Sequence, residues 1–542
     1  MKNIFKYIAG TLLASFVIAS CHEDKGNYDY LSEDELKDQI IRIDTTGVGD
    51  NKYAFSRKYN PGDSINFPIK VHYPYQEDLK YSWIVYDYPY SSIPVGNTSI
   101  YPKPDTISHE RDLKWEVNLK AGWHKCHFIV QDTVRGLSAS MDMGGYFTVN
   151  ALGARPGVMI LSEYDGQSDL DFYSSLLCLI YEDDVMVPHY YSQELGHGMM
   201  EGEPLFIAFQ GDSWAGGYYY VFTTENAYRL NFDGLELMET FDQMFYQVPV
   251  YNPQAYISLN NSEFLINDGK LHIINNKKEN DRKFSAPISG DYQAGNYLSI
   301  ATRKSSSSTG KINADQVIFD EKNLKFRPYF QNDIKMSEFG PTVAGAFADA
   351  NKLPAKPKFM GGGQAGKTYA IVVDPKDGKP YLHMYNFYNA VDDGDLSADG
   401  ANSVIDLSGC KGLKDLDKVK YFQANYNGSA FFYATDKALY SFSPTSGQTT
   451  DYEIHTCAAG EEITCLSIFF HHASGGFPTP GVALWLGVWE EGKKEGKLLE
   501  WEIDPDSGTP VEMWGPMFGA ERAEVPFVTT GFGKIKSIAS VD

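Results

Sequence analysis

"MGGGQAGKTYAIVVDPKDGKPYLHMYNF", residues 360–387, decides between two fold classes. From Gly361 to Thr368 it satisfies G-x-x-x-x-G-K-[ST], the pattern of a phosphate-cradling loop. Such a loop works between a buried strand and a helix whose N-terminal N–H groups face the phosphates. Upstream, "NKLPAKPKF" (351–359) carries two prolines and three lysines and reads as a loop. Downstream, residues 369–387 are rich in Val, Ile and Tyr, and Asp374-Pro375-Lys376-Asp377-Gly378 divides them into a β-hairpin. The helix the motif needs has no place here. The glycines are expected to form a wide turn entering a strand, and no nucleotide is expected as a partner.

That hairpin belongs to a series. "YYYVFTTENAYRLNFDGLEL" (218–237) reads as three strands joined at Glu-Asn and Asp-Gly turns, and "SEFLINDGKLHIIN" (262–275) pairs two strands across Asn267-Asp268-Gly269. "SAFFYATDKALYSFSPTSGQT" (429–449) and "VALWLGVWEEGKKEGKLLEWEIDPDSGTP" (482–510) repeat the scheme. Helical periodicity is nearly absent after residue 200. Short-strand units recurring at intervals of tens of residues point to radial repetition, as in a β-propeller. Over residues 151–542 seven blades would take about 55 residues each. "GVMILSEYDGQSDLDFY" (157–173) would contribute the first, and residues 296–326 another. A count of six or eight, or a large irregular sandwich, is the alternative.

Residues 41–150 differ. "SINFPIKVHY" (64–73), "LKYSWIVYD" (79–87), "LKWEVNL" (113–119), "GWHKCHFIVQDT" (122–133) and "GGYFTVN" (144–150) are strands whose number and length fit an immunoglobulin-like sandwich. "NALGARPG" (150–157) is a short linker to the second domain.

The N-terminus carries an address. Lys2 and Lys6 precede the apolar run "YIAGTLLASFVIA" (7–19), too short to span a bilayer and suited to a secretory signal. The run ends in Ile18-Ala19-Ser20-Cys21, which resembles a bacterial lipobox. That resemblance implies cleavage after residue 20, lipidation of Cys21 and membrane attachment through lipid alone. Residues 21–40 form a polar, acidic tether. Glu23 and Asp24 resemble the surface-export signal of Bacteroidota lipoproteins.

The formal net charge of −24 becomes −26 once Lys2 and Lys6 leave with the signal. So acidic a chain is a poor match for nucleic acid. Besides Cys21 there are five cysteines, an odd and widely spaced set that reads as buried thiols rather than a disulfide framework.

Chemistry-bearing patterns are sparse. His189 and His197, and the adjacent His471 and His472, lack metal-site spacing, and surface or core roles are expected. Asp393, Asp395 and Asp399 in "DDGDLSADG" are the one calcium candidate, but no glycine stands at the sixth position and no glutamate closes the loop. A solvated acidic turn is expected there, and no cofactor. "GDSWAG" (211–216) misses the nucleophile-elbow pattern by one residue. Aromatic side chains are the remaining lead, since their flat faces stack on sugar C–H surfaces and their polar edges bond ligands. Trp214 and Tyr218 in "SWAGGYYY", Tyr88 and Tyr90 in "YDYPYSSIPVGN", and Trp514 and Phe518 in "MWGPMFGAERAEVPF" are the candidate ligand-binding residues.

Lipobox, "CHEDKGNYDY", the sandwich with "YSWIVYD" and "AGWHKCHFIVQD", then "GVMILSEYDG" opening a large β-domain together resemble the PKD-like surface lipoproteins of Bacteroidota. That family has a G-x-Y-x-hydrophobic strand here, and in this chain Trp123 takes the place after Gly122. The resemblance implies an outer-membrane protein facing the cell exterior. It further implies an accessory role beside SusC/SusD-type importers that take up glycans or oligopeptides. It brings no catalytic motif. The expectation is a non-enzymatic protein whose sandwich spaces or docks and whose propeller holds a ligand at its central face. A surface enzyme acting on glycans or peptides, and a purely structural docking subunit, are the rival readings.

Overall fold

The computed structural model describes residues 40–540 except for 47–53, 61, 89–92, 96–97, 101–102, 120–121, 150–156, 176–184, 213–215, 233, 260–261, 276–281, 300–314, 331–332, 341–346, 364–366, 388–402, 426, 445–448, 470–481 and 512–525. Its contacts divide the chain into two compact units, meeting in sequence at Asn150 and Ala151.

The first unit is a β-sandwich. Its larger sheet runs Lys58–Tyr59, Phe147–Val149, Gly122–Asp132, Leu79–Asp87 and Asp105–Ser108, with Leu137–Asp142 also pairing on Gly122–Asp132. Ser64–Phe67 pairs with Leu113–Glu116, and Arg42–Asp44 with Lys70–His72. Alternation decides which side chains enter the core. Along Gly122–Asp132, His124, Cys126, Phe128, Val130 and Asp132 are buried while the residues between them are not. Trp83 fills the centre, 4.5 Å from Phe128, and its indole N–H donates to Glu110 O at 3.0 Å. Burying side chains of this size stabilises by about 1.5–3 kcal/mol each.

The second unit is propeller-like. Among the described residues it holds seven sheets of three or four antiparallel strands. The first strands are Lys534–Ser540, Pro204–Asp212, Pro253–Leu259, Ala294–Leu298, Phe359–Gly362, Tyr421–Ala424 and Glu461–Ile468. We number the sheets one to seven in that order. Each first strand contacts those of its two neighbours, and Glu461–Ile468 contacts Lys534–Ser540, so the ring closes. Closure comes from the last strand of the chain, which pairs with Val158–Tyr164 to give the first sheet its inner edge. Every pair of neighbouring sheets shares its own apolar cluster. Met159, Leu161 and Phe172 meet Ile207, Tyr219 and Val221 between sheets one and two, and Tyr369, Ile371 and Leu382 meet Phe431, Tyr433 and Phe442 between sheets five and six.

Both faces of each sheet are therefore covered. This explains why Tyr219 and Tyr220, adjacent in sequence, are both buried: one packs toward sheet one and the other toward sheet three. Sheets three and four have three strands among the described residues, and irregular segments bond to their outer edges, as Ile288 N–H to Leu271 O at 2.8 Å.

The opening motif needs one correction. Gly361 and Gly362 are not a turn; they end the first strand of sheet five and pair with Tyr369 and Thr368. Lys367–Val373 is a strand, where a phosphate loop would need a helix. Lys367 Nζ donates to Asn427 O at 2.8 Å, and Thr368 Oγ1 meets the Tyr297 hydroxyl at 2.8 Å. Both side chains thus tie neighbouring sheets together.

Candidate functional site: an aromatic face on the sandwich

The alternation that buries His124 and Cys126 turns Trp123, Lys125 and His127 to the other face of the sheet. Tyr88, just past Leu79–Asp87, lies opposite Trp123 and donates its N–H to Trp123 O at 2.8 Å. Tyr146 arrives from the far side through Gly144, whose φ of +98° suits glycine and whose N–H donates to Asp142 Oδ1 at 3.1 Å. Trp123 and Tyr146 have ring centroids 5.1 Å apart, and Tyr88 and Tyr146 5.4 Å apart with planes 8° from parallel. The three rings form one contiguous surface, 44%, 45% and 39% exposed for Trp123, Tyr146 and Tyr88.

Polar groups edge this surface. Lys125 Nζ lies 5.4 Å from the Tyr88 ring and donates to Asp142 Oδ2 at 3.2 Å. That bond raises the Lys125 pKa and keeps the ammonium charged. Tyr86 OH and His127 Nε2 are 2.9 Å apart. Aromatic rings left facing water cost hydrophobic free energy, and clustered exposed apolar surface is characteristic of interaction surfaces.

Tyr218 has a different setting. It is the third residue of Gly216–Thr223, the second strand of sheet two, half-buried, with the Arg282 guanidinium 4.6 Å and that of Arg229 5.3 Å from its ring. Both arginines belong to a buried network centred on Glu263. The carboxylate accepts from Arg282 Nη2, Tyr220 OH and, at 2.9 Å, Tyr256 OH. Arg282 Nη2 also donates to Gln210 Oε1 at 2.6 Å, and Arg229 pairs with Glu239 and donates to Arg282 O at 2.9 Å. Burial, then the Glu263 charge, pushes the Tyr220 and Tyr256 hydroxyls well above their usual range. Arg282 holds a left-handed φ of 41°, a strained setting fixed by these contacts. The network joins sheets two and three, and Tyr218 is its lid.

The residues of "GVMILSEYDGQSDLDF" meet in sheet one. Asp171, fully buried, accepts from Ser162 Oγ at 2.6 Å, Tyr164 OH at 2.8 Å and His189 N–H at 2.8 Å. Burial pushes its pKa up to about 6 against those donors. Asp169 accepts from His189 Nδ1 at 2.9 Å and from Ser192 Oγ. His197 Nε2 bonds Gly234 O at 2.8 Å. These groups fasten the connection between sheets one and two.

Of the sequence candidates, Tyr88 lies on the aromatic face and Tyr218 in the arginine clamp. Cys21, Tyr90, Trp214, Trp514, Phe518, Asp393, Asp395 and Asp399 lie outside the described residues, as do His471 and His472. Sequence reasoning missed Trp123 and Tyr146 as site residues. The signal for Trp123 was an aromatic ring out of phase with the inward set His124, Cys126, Phe128 and Val130. Described cysteines 126, 410, 457 and 465 are free thiols.

The fold thus defines an all-β protein with a sandwich and a propeller-like domain. Within that class, residues 21–204 match the model of the PKD-like family, a stretch that takes in the sandwich and three of the four strands of the first propeller sheet. No curated protein matches the chain. Solved structures similar to it include apo AztD from Citrobacter koseri, at 9% identity and a TM-score of 0.35 over 85% of this chain and 98% of that one. A DUF4784 family protein from Bacteroides caccae aligns at 9% identity and a TM-score of 0.27 over 92% and 98%. The WD40 domain of SCAP from fission yeast aligns at 8% and 0.32 over 58% and 69%.

Proposed function

We propose that this protein is a non-enzymatic surface lipoprotein, anchored to the outer membrane through Cys21, that captures glycan for a SusC/SusD-type importer. The observation that carries the reading is the exposed Trp123, Tyr146 and Tyr88 surface. Sugar C–H faces cover such rings, and Lys125, Asp142, Tyr86 and His127 supply hydrogen bonds at their edge. The strongly acidic chain, at −24, repels polyanions, so neutral polysaccharide is the expected ligand. The lipobox-like Ile18-Ala19-Ser20-Cys21 and the acidic residues after it support surface anchoring.

Affinity electrophoresis of the purified chain through gels containing neutral polysaccharides tests capture: at least one polymer retards it. Pull-down of tagged lipoprotein from its native outer membrane tests the assembly: a TonB-dependent barrel and its lipoprotein lid come with it. No retardation by any neutral polymer would overturn the glycan reading, and recovery of the chain alone would overturn the accessory role.

A further inference from the structure

The propeller carries a second feature that the aromatic face does not explain. The first strands of sheets two, three and four begin side by side, and a cavity of about 440 Å³ opens among Leu205, Phe206, Asn252, Pro253, Gln254 and Asn296. Its size falls within the ~300–1,000 Å³ of small-ligand sites. The six lining residues include no charged side chain.

The amides are held in place from behind. Asn267, fully buried, accepts from Asn252 N–H at 3.0 Å and donates to Val250 O at 2.8 Å, fixing the segment that presents Asn252. Asn252 Nδ2 donates to Asp268 Oδ1 at 3.3 Å. Gln254 accepts from Gly269 N–H at 2.5 Å and donates to Asn296 Oδ1 at 2.9 Å. Gly269 sits at φ +70°, and a Cβ there would strike the Gln293 amide. These bonds use both ends of the Gln254 amide and one end of each asparagine amide. Asn252 Oδ1 and Asn296 Nδ2 keep an acceptor and a donor without partners among the described residues, and both side chains are exposed. Half-buried Phe206, stacked on buried Phe222 at 4.4 Å between centroids, and exposed Leu205 supply the apolar part of the lining.

We infer that this cavity is a binding site for a neutral mono- or disaccharide, separate from the aromatic face. A pyranose has an apolar C–H face for Phe206 and Leu205, and hydroxyls that both donate and accept for Asn296 and Asn252. An acidic sugar would meet the negative field of the chain and Asp268 behind Asn252. The ligand class rests on the glycan-capture reading; the position of the site does not. On this account the sandwich grips polymer and the propeller holds a short piece of it.

Saturation-transfer NMR of the full chain with a panel of neutral mono- and disaccharides is the test. At least one sugar receives saturation. Asn296→Ala and Asn252→Ala weaken that sugar tenfold or more, and Asn296→Asp, which replaces the donor by an acceptor at equal size, does the same with unchanged melting. Trp123→Ala leaves short-sugar binding intact while reducing polysaccharide retention. Saturation of no sugar in the panel, or of a sugar whose binding the asparagine variants leave unchanged, overturns the site. Loss of short-sugar binding in Trp123→Ala overturns its separateness. Failure of polysaccharide retention with short-sugar binding intact would overturn the reading of the aromatic face instead.

Discussion

Tyr88 and Tyr218 are both candidate ligand-binding aromatics in the sequence, one in a loop and one opening a strand, and the fold gives them different settings. Tyr88 is 39% exposed and touches other exposed rings. The Tyr218 ring lies near two guanidinium groups, those of Arg282 and Arg229, and Arg282 pairs with the buried Glu263 carboxylate. One aromatic cluster costs stability and offers a surface; the other contributes stability and offers little. The difference comes from architecture. A sandwich sheet has an outward face, whereas a propeller sheet is covered on both, so aromatic residues in the propeller strands are mostly structural.

The largest expected effect lies at the clamp. Glu263→Ala leaves Arg282 without its buried counter-charge and Tyr220 and Tyr256 without an acceptor, and should destabilise the propeller by about 3–5 kcal/mol. Calorimetry would read this as a lowered propeller transition with the sandwich transition unmoved. A wild-type thermogram would erase the distinction between the two clusters.

Acid response sharpens the comparison, because two buried carboxylates have opposite signs. Asp171 in the propeller has its pKa raised to about 6 by burial. Its contribution is complete below the unfolded pKa near 4 and is lost as pH rises through about 6, a change of about 3 kcal/mol. Asp171→Asn should flatten that slope between pH 4 and 6. In the sandwich, burial alone would raise Asp132, but the Arg135 N–H and guanidinium, the Tyr73 hydroxyl and the Val134 N–H hold it at about 2. Its contribution is present above pH 4 and disappears as pH falls toward 2. Domain-resolved urea melts between pH 2 and 7 would display the two trends, and parallel curves would contradict them.

Smaller effects follow. Tyr218→Ala should cost up to about 2 kcal/mol through the lost guanidinium contacts, without altering polysaccharide retention. Lys367→Met removes the bond to Asn427 O and should cost about 1 kcal/mol, visible as a small shift in the propeller melt.

Much of the fold was legible because turns and alternation are local. Asp268 and Gly269, at φ 49° and 70°, form the left-handed two-residue turn that an Asp-Gly pair between apolar runs announces. The break in Lys367–Val373 and Pro380–Asn386 likewise falls at Asp374–Gly378. Ring closure was not legible: Val158 pairs with Ser540, and no local pattern links residues so far apart. The short strand Phe359–Gly362 was hidden for a related reason, since glycine has low strand propensity and its pairing with Lys367–Val373 sets the conformation. At the aromatic face, Tyr88 was visible as a loop aromatic. Tyr146 was not, because its place beside Trp123 depends on the Gly144 turn and on strand register. Arg282 carries no sequence signal of its own, and only the fold brings it to Glu263.

The most direct measurement is polysaccharide retention by affinity electrophoresis for three proteins side by side: wild type, the Trp123→Ala/Tyr146→Ala double variant and Tyr218→Ala. Trp123 and Tyr146 are 44% and 45% exposed and lose mainly their mutual ring contact, so the double variant should melt within about 1.5 kcal/mol of wild type. The account predicts at least tenfold weaker retention for that variant and wild-type retention for Tyr218→Ala. Equal retention by wild type and the double variant, or loss confined to Tyr218→Ala, would contradict it.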